Sequence, residues 1–236
     1  MERMDLATRL SHNLARVRQQ LAEAALRSGR GPEGIRLVGV TKYVDIATTR
    51  ALFEAGLHDL AESRPQELWR KAELLHDLPI RWHFVGHLQR NKVERTLPLI
   101  SLLHSGDSLQ LLEAVSAAAL KQGRIVETLL EVNISGDEAK HGFAPHVLRS
   151  SLSTIAALPG LQVRGLMTMA AMEGGNDRAR RDFAALRELR NELLGDCPPQ
   201  VELKELSMGM SGDFVEAIEE GASIVRVGSA LFEGIA

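Results

Sequence analysis

The sequence predicts an α/β protein folded as a single (β/α)8 barrel of the TIM type, with an extra helix at its N-terminus. Two observations support this prediction. Short apolar runs alternate with helix-like segments along the 236 residues, and this alternation is typical of a parallel sheet that is covered on both faces. Eight such runs fall within about 200 residues, which matches a small closed barrel. We therefore expect residues 1–236 to form one domain.

The predicted elements follow one another in a regular order. The extra helix covers residues 5–28, where apolar side chains recur at helical spacing from Leu6 to Ala25 and Gly29 ends the pattern. The strands are apolar runs, predicted at residues 35–41, 57–61, 81–85, 99–104, 126–134, 163–169, 205–208 and 223–227. Helix-like segments lie between them, at residues 46–55, 65–76, 89–95, 109–121, 145–157, 177–194 and 213–220.

An open, doubly wound parallel sheet is the alternative fold. A sheet of that kind normally has fewer strands in a chain of this length, and its nucleotide-binding form carries a G-x-G-x-x-G turn after the first strand. The turn after the first predicted strand runs from Lys42 to Asp45 and contains no glycine. The sequence therefore favours the barrel and disfavours a dinucleotide site.

Composition and charge argue against several classes of function. The net charge is −3, from 28 basic and 31 acidic residues, so no overall field attracts nucleic acid or an anionic membrane. Cys197 is the only cysteine, which excludes an intrachain disulfide and indicates a reducing compartment. The sequence has no secretory signal and no apolar run of about 20 residues. We expect a cytoplasmic protein with no nucleic-acid or membrane partner.

Lys42 is the first candidate for chemistry, because it ends the first predicted strand. A lysine that points into the mouth of a barrel is desolvated, and desolvation favours the neutral amine, which is a nucleophile toward carbonyl groups. The alternative is a strand-end lysine that extends into solvent.

Turns rich in glycine and serine follow the last two predicted strands, at residues 207–213 and 228–230. Barrel enzymes usually hold a phosphate at this place, where free backbone N–H groups meet small side chains. The candidate donors are the N–H groups of Met210, Gly228 and Ser229 and the hydroxyls of Ser211 and Ser229. Asp213 is expected to cap the next helix. An anion site beside an aldehyde-reactive lysine is what pyridoxal 5′-phosphate (PLP) requires, although such turns can also merely close barrel loops.

Arg226 interrupts the apolar run of the last predicted strand, and a buried arginine needs a partner. One interpretation is an ion pair with Glu205 or Glu131 on a neighbouring strand. The other is a hydrogen bond to the ring nitrogen of PLP. Arginine stays charged, so that nitrogen would remain unprotonated and the ring would be a weaker electron sink.

His83 lies in the densest polar and aromatic stretch of the sequence, residues 82–92. Strand alternation predicts that His83 and Val85 share one face and that Trp82 and Phe84 share the other. His83 could pack against a cofactor ring, relay a proton, or be a hydrogen-bonded core histidine. The histidines lack H-E-x-x-H or similar spacing, so we predict no metal site.

Several motifs together resemble those of the pyridoxal phosphate homeostasis proteins, the YggS/PROSC family. They occur in family order at residues 40–42, 82–89, 133–136, 140–143, 165–168, 206–211 and 225–229. The resemblance implies a barrel like the N-terminal domain of alanine racemase (fold type III of the PLP enzymes), monomeric or weakly associating, with PLP on Lys42. It also implies that Ser211, Gly228 and Ser229 hold the phosphate and that Arg226 holds the ring nitrogen.

The predicted cofactor-binding residues are Lys42, Ser63, His83, Ser207, Met210, Ser211, Arg226, Gly228 and Ser229. Ser63 stands where the family usually has asparagine, and serine is shorter and lacks the amide group of that residue. Lys140 matches a lysine that the family shares, and the sequence assigns it no role.

The resemblance implies a non-catalytic carrier that holds PLP as a Schiff base on Lys42 for intracellular PLP homeostasis, with PLP-requiring apoenzymes as candidate recipients. A PLP-dependent racemase or lyase is the first alternative, and a Schiff-base aldolase acting on a sugar phosphate is the second. Racemases of the alanine racemase type use a tyrosine base from a second domain. Here the sequence ends at Ala236, directly after the eighth predicted strand, and Tyr43 is the only tyrosine. Both observations favour the carrier.

Overall fold

Eight parallel strands close into a barrel in sequence order in the computed structural model, which describes residues 5–137, 139–171 and 173–235. The strands are β1 (Arg36–Val40), β2 (Asp59–Glu62), β3 (Arg81–Phe84), β4 (Leu102–Gly106), β5 (Val126–Glu131), β6 (Leu161–Met167), β7 (Val201–Ser207) and β8 (Ile224–Val227). Pairing of β1 with β8 closes the barrel, with Val38 opposite Arg226. The predicted TIM-type barrel is therefore confirmed.

The helices surround the barrel, and the extra N-terminal helix is present. They are α1 (Leu6–Arg27), α2 (Ile46–Glu54), α3 (Pro65–Leu74), α4 (Val93–Thr96), α5 (Leu109–Lys121), α6 (Pro145–Ala156), α7 (Gly175–Leu194) and α8 (Phe214–Glu219). Carboxylate N-caps start two of them, because Asp5 accepts the N–H of Thr8 and Asp45 accepts that of Thr48, each at 2.8 Å. In the described part of the chain, no helix combines the length and apolar character needed to cross a membrane.

Strand β7 is longer than the sequence pattern predicts, and it begins at Val201 instead of Glu205. The predicted start is late because Glu202 and Lys204 break the apolar run. Glu202 accepts a hydrogen bond from Arg164 of β6 at 3.0 Å, so a charged side chain at this end of the strand is paired instead of buried alone. Charge pairing between neighbouring strands is not visible in the pattern of a single strand.

Apolar side chains form two separate layers. The outer layer lies between the barrel and the helices and includes Trp82 and Phe84, which confirms that these two residues share one face of β3. The inner layer fills part of the barrel interior and consists of Val38, Ala61, Leu102, Leu129, Met167 and Ile224. Polar side chains occupy the rest of the interior, among them His83, His104 and Arg226, all of which are buried.

A buried ion pair fixes the end of β1. Lys71 of α3 donates to Glu62 at 2.6 Å and to the backbone oxygen of Thr41 at 2.7 Å, and the Thr41 hydroxyl donates to the same Glu62 oxygen at 2.6 Å. Lys71 and Glu62 are almost completely buried. Removing one partner of such a pair leaves an uncompensated buried charge, so the pair is costly to break. Since Lys71 also bonds to the backbone oxygen of Thr41, the pair holds the backbone directly before Lys42 in place.

Gly165 provides a test of the barrel packing. A Cβ at this position would overlap the backbone oxygen of Glu205 on β7, so we expect Gly165→Ala to reduce the free energy of unfolding by about 1–3 kcal/mol. Urea unfolding followed by circular dichroism measures this loss. Gly34→Ala is the matched control, because a Cβ at the exposed Gly34 meets nothing within 4 Å. Equal stabilities of the two variants would contradict the packing described here.

Candidate functional site

Lys42 leaves β1 at the C-terminal mouth of the barrel, where it is half-buried. Its Nζ lies 4.8 Å from the ring centroid of Tyr43, which is itself exposed. In the β1–β8 pair, Gly39 lies opposite Val227. The lysine and the turn that starts at Gly228 therefore emerge at the same edge of the barrel, as the sequence predicted.

The turns after β7 and β8 meet at the hydroxyl of Ser211. Ser211 Oγ accepts hydrogen bonds from the N–H of Gly228 at 3.1 Å and from the N–H of Ala230 at 3.3 Å. Ser229 lies between these two donors at an exposed position. Two backbone N–H groups thus converge on one hydroxyl, and they become donors for an oxyanion when they release Ser211 Oγ.

Asp213 does not cap helix α8, so that part of the sequence prediction was wrong. Its side chain accepts the N–H of Met210 at 2.6 Å and makes no capping bond to the helix. The cause is the turn at Gly209, which has a φ of +92° and packs tightly against α8. This turn directs the N–H of Met210 toward Asp213, and burial raises the pKa of the Asp213 carboxyl.

Arg226 is buried without an ion pair to any of the described residues. Its Nη1 donates to Ser207 Oγ at 2.6 Å, and its Nη2 donates to the backbone oxygen of Thr168 at 2.9 Å. Neither predicted ion pair forms: Glu205 accepts a hydrogen bond from Ser223 and lies 4.0 Å from Arg36, and Glu131 makes no salt bridge with Arg226. Burial lowers the pKa of Arg226 to about 10 against the opposing effects of nearby carboxylates, so the guanidinium stays charged at neutral pH.

His83 lies in the barrel interior, behind His104, and not at the mouth. His104 Nδ1 is 2.8 Å from Ser207 Oγ, His104 Nε2 is 2.9 Å from His83 Nδ1, and His83 Nε2 is 3.1 Å from Asp59 Oδ1. The predicted cofactor residues His83 and Ser207 are thus linked by hydrogen bonds to Arg226, and a direct contact of either with a cofactor stays a prediction. Sequence reasoning missed His104 and Asp59, although a histidine at the end of a buried strand and an acid at the start of another were visible signals.

Glu131 is a buried carboxylate at the end of β5, and its side chain has no hydrogen-bond partner among the described residues. Burial raises the pKa of Glu131 to about 7, and the nearby Asp107 carboxylate adds to this effect. The positive charge of Arg226 opposes the shift. The mouth therefore contains a carboxyl group that changes its charge near neutral pH.

His87, Asp107 and His141 form a cluster of metal-ligand types at the rim, with one donor atom from each within 4.8 Å of the others. His87 Nδ1 lies 2.7 Å from Asp107 Oδ2, and the two imidazole rings are stacked 4.2 Å apart at 12°. A ring nitrogen binds a metal ion that lies in the plane of its ring. An ion in the plane of one of these stacked rings would lie outside the plane of the other, so the two rings cannot bind the same ion in this arrangement. The absence of a metal site stays a prediction.

Two further residues singled out in the sequence lie in loops at this end of the barrel. Lys140 donates to the backbone oxygen of Ala170 at 2.7 Å and to Ser135 Oγ at 3.2 Å, so it ties the loop after β5 to the loop after β6. Ser63 is half-buried in the turn after β2 and makes no side-chain hydrogen bond with the described residues. Lys140 thus has a structural role in joining two loops, whereas a contact between Ser63 and a cofactor stays a prediction.

The raised pKa of Glu131 predicts a specific dependence of stability on pH. The folded carboxyl has a pKa of about 7 against an ordinary value of 4.5, so the folded state binds more protons between those values and stability is lost as the pH rises through that window. At about 1.4 kcal/mol per pKa unit, the loss is about 3 kcal/mol by pH 8.

We expect Glu131→Gln to flatten this part of the stability curve, as measured by urea unfolding at intervals from pH 5 to 8. Glu113→Gln, at an exposed position on α5, is the control and should retain the slope of the unsubstituted protein. An unchanged slope in Glu131→Gln would show that Glu131 titrates normally.

Comparison with known proteins places this chain in a family. Residues 7–235 match the family described as alanine racemase, N-terminal domain. A pyridoxal phosphate homeostasis protein from Aquifex aeolicus is 40% identical over 219 residues, which are 93% of this chain and 95% of the relative. The solved structure of PipY from Synechococcus elongatus with PLP bound has a TM-score of 0.84 at 33% identity and covers 94% of this chain and 99% of PipY.

An alanine racemase from Clostridium difficile has the same fold, with a TM-score of 0.72 at 15% identity, covering 94% of this chain and 55% of the racemase. The names of these relatives agree with the family resemblance that the sequence motifs indicated. The chain belongs to the pyridoxal phosphate homeostasis protein family, whose fold is that of the alanine racemase N-terminal domain.

Proposed function

We propose that this protein binds PLP at the C-terminal mouth of its barrel, holds it covalently on Lys42, and serves intracellular PLP homeostasis without a catalytic cycle of its own. One observation carries the proposal: the β1–β8 pair brings a half-buried lysine and a cluster of anion-binding N–H groups to the same edge. The name of the Aquifex aeolicus relative and the PLP bound to PipY support it independently.

The residues at the mouth fit PLP in charge and chemical type. Lys42 supplies an amine, and the N–H groups of Gly228 and Ala230 supply donors for a phosphate once they release Ser211 Oγ. When bound, PLP supplies an aldehyde that condenses with a neutral amine and releases one water. The N–H of Met210 and the exposed Ser229 complete the predicted phosphate side, and Asp213 must give up its bond to Met210 for that donor to be used.

Arg226 supports a carrier over a catalyst. Its guanidinium is held at the ends of β6 and β7 by Thr168 and Ser207, and we propose that its remaining N–H groups bind the pyridine nitrogen of PLP. Because an arginine keeps its proton at neutral pH, the ring nitrogen stays unprotonated, and the cofactor is then a weaker electron sink for carbanion chemistry.

We further propose that residues 1–236 act as one PLP-binding domain, as a monomer in the cytoplasm, and that the protein passes PLP to PLP-requiring apoenzymes. The single cysteine and the small net charge of −3 support a reducing compartment and a protein that does not depend on nucleic acid or an anionic membrane.

Lys42→Ala tests the covalent attachment. We expect the purified protein, incubated with PLP and reduced with borohydride, to carry a pyridoxyl group on the peptide that contains Lys42, and we expect Lys42→Ala to lose both this label and the yellow absorbance. Lys204→Ala, at an exposed position on β7, should be labelled like the unsubstituted protein. Labelling of a different lysine in the unsubstituted protein would overturn the proposal.

Arg226→Ala tests the contact to the ring nitrogen. Loss of a charge-assisted hydrogen bond costs about 1.5–3 kcal/mol, so we expect the dissociation constant for PLP to rise about 10- to 100-fold while borohydride still labels Lys42. Equilibrium dialysis measures the affinity, and thermal unfolding checks that the variant is folded. A folded Arg226→Ala with unchanged affinity would show that Arg226 has a structural role only.

A further inference from the structure

We infer that Asp59, His83, His104 and Ser207 form a one-directional hydrogen-bond chain that positions Arg226 and links the PLP site to the opposite end of the barrel. We treat these as positioning residues, which act on the cofactor through Arg226. The link to PLP rests on the proposed function, whereas the chain itself is a property of the protein alone.

The chain is continuous and crosses the barrel interior. Arg226 Nη1 lies 2.6 Å from Ser207 Oγ, Ser207 Oγ lies 2.8 Å from His104 Nδ1, His104 Nε2 lies 2.9 Å from His83 Nδ1, and His83 Nε2 lies 3.1 Å from Asp59 Oδ1. The residues come from β8, β7, β4, β3 and β2, so the step from Ser207 to His104 joins opposite walls of the barrel. All five are at least nine-tenths buried.

The first end of the chain fixes the direction of its protons. Arginine has only donors, so Ser207 Oγ accepts from Arg226. The Ser207 hydroxyl must then donate its own proton, and the acceptor within reach is His104 Nδ1. A neutral His104 that accepts at Nδ1 carries its proton at Nε2 and donates it to His83 Nδ1.

The Asp59 end of the chain independently requires the same direction of hydrogen-bond donation, from Arg226 toward Asp59. The Asp59 carboxylate accepts hydrogen bonds only, so His83 Nε2 carries a proton and His83 Nδ1 is an acceptor. Burial would raise the pKa of Asp59, but hydrogen bonds from Arg81 and His83 outweigh burial and keep that pKa well below its ordinary value. Burial also lowers the pKa of His83 and of His104. Both histidines are therefore neutral Nε2–H tautomers.

This arrangement places charges of opposite sign at its two ends, in addition to the Glu131 and Asp213 carboxylates that stabilise the charge of Arg226. The positive guanidinium and the negative Asp59 sit at the two ends of a row of aligned donors, and each hydrogen bond in such a row polarises the next. Asp59 is also held by Arg81, whose Nε donates to it at 2.9 Å. A cavity of about 310 Å³ opens beside Asp59 at the N-terminal end of the barrel, so the row runs from this opening to the PLP mouth.

Two Arg226 hydrogen bonds fix the guanidinium, one to Ser207 and one to the backbone oxygen of Thr168. Removing the Ser207 hydroxyl leaves a single bond, about which the guanidinium can turn. Removing the charge of Asp59 leaves both bonds but weakens the whole row. Each change should therefore reduce PLP affinity in the same direction as Arg226→Ala, and by less.

The first arm of the test needs no cofactor. Histidine labelled with ¹⁵N in the PLP-free protein is observed by two-bond ¹H–¹⁵N correlation spectra near neutral pH, and His83→Gln and His104→Gln assign the two signals. We expect both residues as neutral Nε2–H tautomers, and we expect Ser207→Ala to shift His104 away from this tautomer. His146→Gln, at an exposed position on α6, is the control and should change neither signal. An Nδ1–H tautomer or a protonated ring at either residue would overturn the inference.

The second arm measures PLP binding. We expect Ser207→Ala and Asp59→Asn each to raise the dissociation constant about 2- to 10-fold, with Lys42 still labelled by borohydride and with Ser207→Thr restoring part of the loss. Ser105→Ala is the control, because Ser105 is buried on β4 beside His104 but bonds to the backbone of Gly86. Should Ser207→Ala fail to fold, Asp59→Asn decides this arm.

The outcomes separate this inference from the proposed function. If the unsubstituted protein takes no PLP onto Lys42, the proposed function fails and the spectra still decide whether the chain exists. If the protein binds PLP and Arg226→Ala weakens binding, but Ser207→Ala and Asp59→Asn bind as the unsubstituted protein does, the positioning role is overturned and the proposed function stands.

Discussion

The pairing of β1 with β8 is the constraint on which the site depends. It joins the first and last strands over four residues, from Arg36 opposite Ile224 to Gly39 opposite Val227. A slip of one residue would reverse the inward and outward faces of β8, so Arg226 would turn toward the helices and Val227 toward the interior. The same slip would separate the end of β1 from the turn at Gly228. Barrel closure and the geometry of the mouth are therefore a single property, and the buried Lys71–Glu62 pair strengthens it by fixing the backbone at Thr41.

The barrel interior departs from the usual filling by layers of branched apolar side chains. Only six buried apolar residues form the inner layer in the described part of the chain, and a row of hydrogen-bonded polar groups crosses the space beside them. A buried polar network stabilises one structure only when all of its members are satisfied. That condition is met along the row, because His83 and His104 each use both ring nitrogens and Asp59 accepts from His83 and Arg81.

How much the sequence predicts depends on whether a feature belongs to one strand or to several. The order of the elements, Lys42 at the end of a strand and the two final turns all follow from local patterns, and the structure has them where they were expected. The partner of Asp213, the depth of His83 and the contacts of Lys140 were not predictable in this way. Each depends on which side chains from different strands or loops meet in space, and the periodicity of a single segment contains no information on that register.

Arg226 links the fold to the limits of the chemistry. A guanidinium buried without an adjacent carboxylate is costly, and the hydrogen bonds to Ser207 and Thr168, together with the more distant Glu131 and Asp213, offset part of that cost. The outcome is a pKa of about 10, so the group remains a cation at neutral pH despite its burial. A cation that cannot release its proton can orient a pyridine nitrogen but cannot protonate it. If PLP binds as proposed, the interior that holds Arg226 also withholds the proton that would make the ring a strong electron sink.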